Sequence, residues 1–320
     1  MTWWRRKLMG WQMRLRPLLD RWLPAPPASG PEPPFGPEPV GPLAPLDSVT
    51  LTDGVARALF HQFLEHRATE RGEEETGWVL MGLRRADDAL VLATLPAGAG
   101  REAGVAHVRF HAEAQAVASR ILRQADRRLT ILGIVHTHPG SLRRPSQGDL
   151  AGDRRWVPLL RGQQGVFGIG TADAPDDDLS DWIATQPKHH VQCHRGLRFS
   201  WYALAAGDAD YRPLPVTITL GPDLAAPLWP LWPILETHAD RLERLAKQLA
   251  RLRFDLPDDA EGVLQVTVPG RGQERWGARL ADDGPHYGRL RGDAWESVPL
   301  TEPAVDRGLF LLLAEQAALE

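Results

Sequence analysis

The chain has 320 residues, room for one domain of ordinary size and a second, smaller one. Its hydrophobic fraction of 43% and charged fraction of 24% are those of a globular protein, and a formal net charge of -4 gives no general reason to expect a nucleic-acid partner. The lone Cys193 excludes an intramolecular disulfide framework and makes thiol nucleophile chemistry a poor choice; no uninterrupted apolar run approaches the length needed to span a bilayer.

Residues 1–23, MTWWRRKLMGWQMRLRPLLDRWL, form a basic amphipathic segment. Trp4, Leu8, Trp11, Leu15, Leu18 and Trp22 recur at helical spacing beside Arg5, Arg6, Lys7, Arg14, Arg16 and Arg21. Such a segment suits docking on a partner, contact with an anionic membrane surface, or packing on its own protein. It lacks the continuous apolar core of a secretory signal, so the expected location is cytoplasmic. Residues 24–46 are a linker rich in Pro and Gly, and the globular part is expected to run from 47 to 212. Val49–Arg71 reads as a helix with Val55, Leu59 and Phe63 on one face. Thr76–Leu83 and Ala89–Leu95 read as a hairpin of two strands, Gly98–Ala106 as a flexible connection, and Phe110–Leu129 as a helix burying Ala114, Val117, Ile121, Leu122 and Ala125. His61 and His66 belong to no ligand spacing and are expected at the surface or the core edge; His107 and His111 flank the start of the second helix, where a bland role is favoured over the alternative that their connecting loop borders the cleft.

The stretch Thr130–Asp149, TILGIVHTHPGSLRRPSQGD, carries the chemistry. Ile131–Val135 is an apolar strand that delivers His136 and His138 with one residue between them. Side chains alternate along a strand, so both imidazoles point the same way. Pro139 and Gly140 end the strand, and Asp149 follows just past Ser146 at the predicted start of a helix continuing toward Leu160. Two imidazoles and a carboxylate are suitable zinc ligands, with the fourth tetrahedral position open for water, the pattern of a catalytic rather than a structural site.

The run HTHPGSLRRPSQGD, His-x-His-x10-Asp with a serine three residues before the aspartate, resembles the metal-binding signature of the JAB1/MPN/Mov34 (JAMM) metalloproteases. That family also uses an upstream glutamate in a sequence like Glu-x-Gly-Gly-x-Leu-x-Gly, and ETGWVLMG from Glu75 to Gly82 is similar, departing at Trp78 where a small residue is common. Glu73 and Glu74 adjoin Glu75, but only Glu75 stands two residues before Gly77. The resemblance implies an α/β fold, a JAB1/MPN (cytidine-deaminase-like) curved mixed sheet flanked by helices. It implies Zn2+ held by His136, His138 and Asp149, with Glu75 as general base and Ser146 as hydrogen-bond donor to the oxyanion. It further implies an isopeptidase or peptidase cutting after the C-terminal glycine of a ubiquitin-like protein. The partners would be that protein, its conjugates, and E1-like and E2-like enzymes of a bacterial conjugation system, some of which serve antiviral defence. Alternatives are a JAB-type peptidase acting on a sulfur-carrier protein or small peptide-like substrate, and a non-enzymatic scaffold. RadC-like proteins share HxHP and a downstream PSxxD, but ETGWVLMG and the acidic net charge favour the protease branch.

Val166–Thr171 and Val191–Ala203 read as further strands. His189, His190 and His194 lie near Cys193 without a zinc spacing, and Asp153 is expected on a helix surface. Residues 213–320 read as an accessory α+β region for substrate or partner binding, with a helix over Ile234–Leu252, strands at Val263–Val268 and Trp276–Leu280, and a closing helix over Leu309–Leu319.

Overall fold

The structure is a computed structural model and describes residues 43–98, 102–103, 108–174, 183, 188–270 and 272–318. The amphipathic segment 1–23, linker residues 24–42 and His107 lie outside the described residues. Two compact units divide the chain, one containing Gly41–Glu243 and the other Arg244–Glu320.

The first unit opens with β1 (Ser48–Thr52), not with the predicted helix. The β-branched alternation of SVTLT favours a strand, and helical periodicity takes over only at α1 (Asp53–Arg67). Thr52 caps α1 by accepting a hydrogen bond from the Val55 N–H at 3.3 Å. The hairpin follows as expected, β2 (Gly77–Arg84) and β3 (Asp88–Pro96). Next come a two-residue pair, β4 (Glu102–Ala103) with β5 (Val108–Arg109), and α2 (Ala112–Ala125). His111 is the N-cap of α2, its Nδ1 accepting from the Ala114 N–H at 3.2 Å.

The motif strand is β6 (Thr130–Thr137), and the helix after it, α3 (Gln147–Asp153), is shorter than predicted. Two short 3-10 turns replace its expected continuation, the first with Pro158 inside it. β7 (Gln164–Thr171) follows. The long strand predicted over Val191–Ala203 is a hairpin of β8 (Val191–His194) and β9 (Leu197–Ala205). Arg195 and Gly196 turn it with φ of 47° and 73°, a left-handed pair suited to a two-residue hairpin.

The sheet extends beyond residue 212, where the boundary was expected. β10 (Arg212–Pro213) pairs with β9, and β11 (Val216–Thr219) pairs in parallel with β1. The strand order is β10-β9-β7-β6-β2-β3-β1-β11, with β8 on β9. β6–β7, β1–β3 and β1–β11 are parallel and the remaining pairs antiparallel, so the sheet is mixed, as expected. The core also starts earlier than position 47: Leu46 is 1% exposed, and the Ala44 N–H donates to the Ala86 carbonyl at 2.8 Å.

Two apolar clusters sandwich the strands that carry the motif. Val55, Leu59, Phe60 and Phe63 of α1 pack with Val49, Leu51, Trp78, Val135, Phe199 and Trp201. A second cluster joins Leu150 of α3 to Val157, Phe167, Ile169, Tyr202 and Leu204, with Ile134, Trp156 and Tyr211 against it. Burying both sides of the central strands is what their near-continuous apolar sequences require.

Asp223, 5% exposed, ties the segment after β11 to β3. Its carboxylate accepts from the Thr94 N–H at 3.2 Å, the Thr94 hydroxyl at 2.5 Å and the Ala225 N–H at 2.8 Å. Burial nevertheless pushes its carboxyl up to about 6. The folded state therefore keeps a proton that the unfolded chain releases near its ordinary carboxylate value, and stability from this group falls as pH rises toward 6. Asp223→Asn removes the ionisation and keeps an oxygen acceptor. Denaturant unfolding of both proteins is expected to show the variant gaining on wild type by about 1 kcal/mol between about pH 5 and pH 7. A difference constant across that range would mean that Asp223 is already ionised at the lower pH.

The second unit begins within α4 (Trp232–Gln248), whose Leu235, Leu242 and Leu245 are fully buried. The antiparallel strands β12 (Arg253–Asp255), β13 (Leu264–Pro269), β14 (Glu274–Ala281), β15 (Gly284–Arg291) and β16 (Ala294–Ser297) follow in order, then α5 (Val305–Ala318). This is the expected separate α+β region, with more strand than predicted. A Cβ on Gly308 would lie 2.0 Å from the Tyr287 hydroxyl, so glycine is what lets α5 sit on that ring.

Candidate metal centre

His136 lies near the end of β6 and His138 is the first residue past it, buried to 5% and 6% exposure. Their Nε2 atoms are 3.1 Å apart. The Asp149 carboxylate meets both, Oδ1 at 3.3 Å from His136 Nε2 and Oδ2 at 3.4 Å from His138 Nε2. Ligands about 2.0–2.1 Å from a tetrahedral zinc stand about 3.3 Å from one another, so these spacings already suit that ion.

The segment between the histidines and Asp149 is held by its own hydrogen bonds. His138 Nδ1 lies 2.7 Å from the Leu142 carbonyl oxygen, to which it donates. That bond fixes the tautomer and leaves a lone pair on Nε2 facing the cluster. Ser146 is the N-cap of α3: its Oγ accepts from the Asp149 N–H at 3.2 Å, while Asp149 Oδ2 accepts from the Ser146 N–H at 2.5 Å. This reciprocal capping box starts the helix and aims the Asp149 carboxylate at the same time. Arg143 donates to Asp173 Oδ2 at 2.6 Å, and the Tyr202 hydroxyl donates to the Arg143 carbonyl at 2.9 Å, tethering the loop.

Electron-rich atoms thus converge where only a proton or a cation can join them. His136, His138 and Asp149 each offer one ligand atom within 4.8 Å of the others, the one such cluster found among the described residues. Burial works to raise the Asp149 carboxyl, but the adjoining His136 and His138 imidazoles and the Ser146 N–H hold it far below the usual carboxylate range. For His138, burial opposes the charged form, yet Asp149, the Leu142 carbonyl and Glu75 raise the imidazole above its ordinary value. The donor set fits a zinc ion; it comprises the three ligands named from the sequence.

β2 and β6 pair antiparallel with Gly77 opposite His136, and the Thr137 N–H donates to the Thr76 carbonyl at 2.9 Å. Glu75, 4% exposed, stands two residues before β2, near enough for its carboxylate to help raise the His138 imidazole. Its neighbours are engaged elsewhere: Glu74 accepts from Arg71 Nε at 2.7 Å, and Glu73 stands 4.0 Å from Arg67. A Cβ on Gly77 would lie 2.7 Å from the Val135 carbonyl oxygen and 3.3 Å from the His136 Cβ, which explains the glycine of that motif. Trp78, the departure from the expected pattern, lies in the apolar cluster of α1, where its ring meets Phe199 edge-on and its indole N–H donates to Gln62. The alternation of the strand keeps it off the face of Glu75 and His136.

Residues 56–186 match the family model described as prokaryotic homologs of the JAB domain. This part of the chain is similar to prokaryotic JAB/MPN-type domains. Its His-His-Asp triad is JAMM-like, consistent with the active site of a zinc metalloprotease. The curated proteins contain no match. Among solved structures, the chain is similar to the solution structure of protein DSY2949 from Desulfitobacterium hafniense, at 16% identity and a TM-score of 0.37, over 54% of this chain and 94% of that one.

The other described histidines weighed from sequence stay outside this triad. His66 Nε2 meets the Glu74 carbonyl at 2.9 Å, and His194 packs with its ring centroid 5.5 Å from that of Phe60. Asp153, expected on a helix surface, is 5% exposed. Burial pushes its carboxyl up to about 6, although Tyr211 and Trp156 donate to it. Its spacing from Asp149, one helical turn, is the signal that could have found it. Among the described residues no helix is long and apolar enough to cross a membrane.

Proposed function

We propose that the JAB/MPN domain is a zinc-dependent isopeptidase or peptidase that cuts after the C-terminal glycine of a ubiquitin-like protein, for precursor processing or deconjugation. The observation that supports it most is the triad of His136, His138 and Asp149 with the buried Glu75 carboxylate near His138. Zinc bound there would acidify a water and polarise a carbonyl. Glu75 would take the proton from that water and pass it to the leaving amine. Ser146 accepts a hydrogen bond through Oγ from the Asp149 N–H, which leaves its own hydroxyl proton to donate to the tetrahedral oxyanion.

A thin Gly-Gly tail suits a centre this enclosed, because both imidazoles are almost wholly buried. On this reading the protein acts in the cytoplasm of a bacterium, beside E1-like and E2-like enzymes of the same conjugation system. Two measurements test it. Elemental analysis of gently purified protein is expected to give about one zinc per chain; none would remove the metal from the mechanism. A ubiquitin-like protein encoded beside this chain, fused through its tail to a reporter, is expected to be cut directly after the terminal glycine in a chelator-sensitive reaction. Zinc-loaded protein that leaves this fusion intact but cuts a sulfur-carrier fusion would move the substrate to the second class.

A further inference from the structure

We infer that Tyr202 and Tyr211 are positioning residues for the metal centre, each holding one end of the segment that joins the histidines to Asp149. The inference rests on the zinc reading above and adds side chains that touch neither the triad nor substrate. α3 has only seven residues, Gln147–Asp153, too short to be stable on its own. Its first turn is fixed by the capping box of Ser146 and Asp149. Its last residue, Asp153, lies one turn beyond Asp149, so both carboxylates project from similar positions around the helix. Asp153 Oδ2 accepts from the Tyr211 hydroxyl at 2.6 Å, and Oδ1 accepts from the Trp156 indole N–H at 3.0 Å. Tyr211 immediately precedes β10 at the end of the sheet, and its ring meets Phe167 of β7 edge-on at 5.4 Å between centroids. The helix bearing Asp149 is thereby anchored to the sheet bearing both histidines.

Tyr202 of β9 does the same for the other end. Its hydroxyl donates to the Arg143 carbonyl at 2.9 Å, and the neighbouring Leu142 carbonyl is the acceptor that orients His138. The two rings pack edge to face at 6.3 Å, so one small aromatic cluster supports both ends of the segment. A buried carboxylate held by two neutral donors is a costly way to hold a helix unless exact placement matters. The neighbouring metal ligand supplies that need.

The test is zinc affinity by competition with a chromogenic chelator, alongside melting of the zinc-free protein and the visible spectrum of the cobalt-substituted form. Tyr202→Phe and Tyr211→Phe keep the ring packing and delete one hydroxyl each. Each is expected to weaken zinc binding by about tenfold and to alter the cobalt spectrum, in line with the effect of partners that orient metal ligands. Asp153→Asn combined with Tyr211→Phe is expected to lose little more than Asp153→Asn alone, because both act through one hydrogen bond. Combining Tyr202→Phe with Tyr211→Phe is expected to be additive. Wild-type zinc affinity and spectrum in both tyrosine variants, with only a lower melting temperature, would overturn the inference and leave the cluster as packing. If wild type itself binds no zinc, the metal reading fails first and the inference goes with it. Should Asp153→Asn fail to fold, the two tyrosine variants still decide the matter.

Discussion

Glu75→Gln is expected to retain about one zinc per chain while turnover on a cleavable fusion falls by at least about two orders of magnitude, the usual scale of a lost general base. The substitution is nearly isosteric, which matters for a side chain only 4% exposed and close enough to influence His138. The amide can fill the same space but cannot accept and return a proton at useful pH. Glu75 also helps to raise His138, so removing its charge lowers the imidazole's affinity for protons. Metal analysis and single-turnover cleavage on the same sample separate the roles. Loss of both zinc and turnover would make Glu75 a support of the centre, and undiminished turnover would mean that another group takes the proton.

The triad was legible because its geometry is local. The period of two in β6 puts His136 and His138 on one side, and a turn followed by a helix start returns Asp149 to them. Glu75 was harder, since its partnership with His138 depends on a β2–β6 register that only Gly77 hinted at. Asp153 was misread because helix position alone does not reveal burial; its partner Tyr211 lies 58 residues away in sequence. The same limit hid β11, whose place beside β1 requires pairing Val49 with Val216 across the whole unit. In the second unit, β15 escaped notice because GPHYGRLR shows little apolar alternation. Much of its pairing is instead marked by charge, Arg291 with Glu274 at 2.7 Å and Arg289 with Glu296 at 2.5 Å.

Asp149→Asn is the substitution with the largest effect expected on metal binding itself. The new side chain still offers an oxygen to the Ser146 N–H, so the capping box and α3 survive, while the zinc-free protein is expected to melt lower because the ionised Asp149 carboxylate, held below its ordinary value, stabilises the fold at neutral pH. What disappears is the negative charge opposite two imidazoles, and with it the ligand that makes the site more than a histidine pair. Zinc content after dialysis is expected to drop from about one ion per chain to almost none. The pH dependence of any residual binding carries the sign of the argument. In wild type, Asp149 raises His138, so protons displace zinc from that nitrogen starting above the ordinary histidine value as pH falls. Without Asp149, burial remains as the leading influence on His138 and acts in the opposite direction, which moves the onset of proton competition to lower pH even as overall affinity collapses. Zinc titrations at a series of pH values would show both effects together. A variant with wild-type zinc affinity and an unmoved onset would mean that Asp149 serves only as the cap of α3 and that the third ligand lies elsewhere.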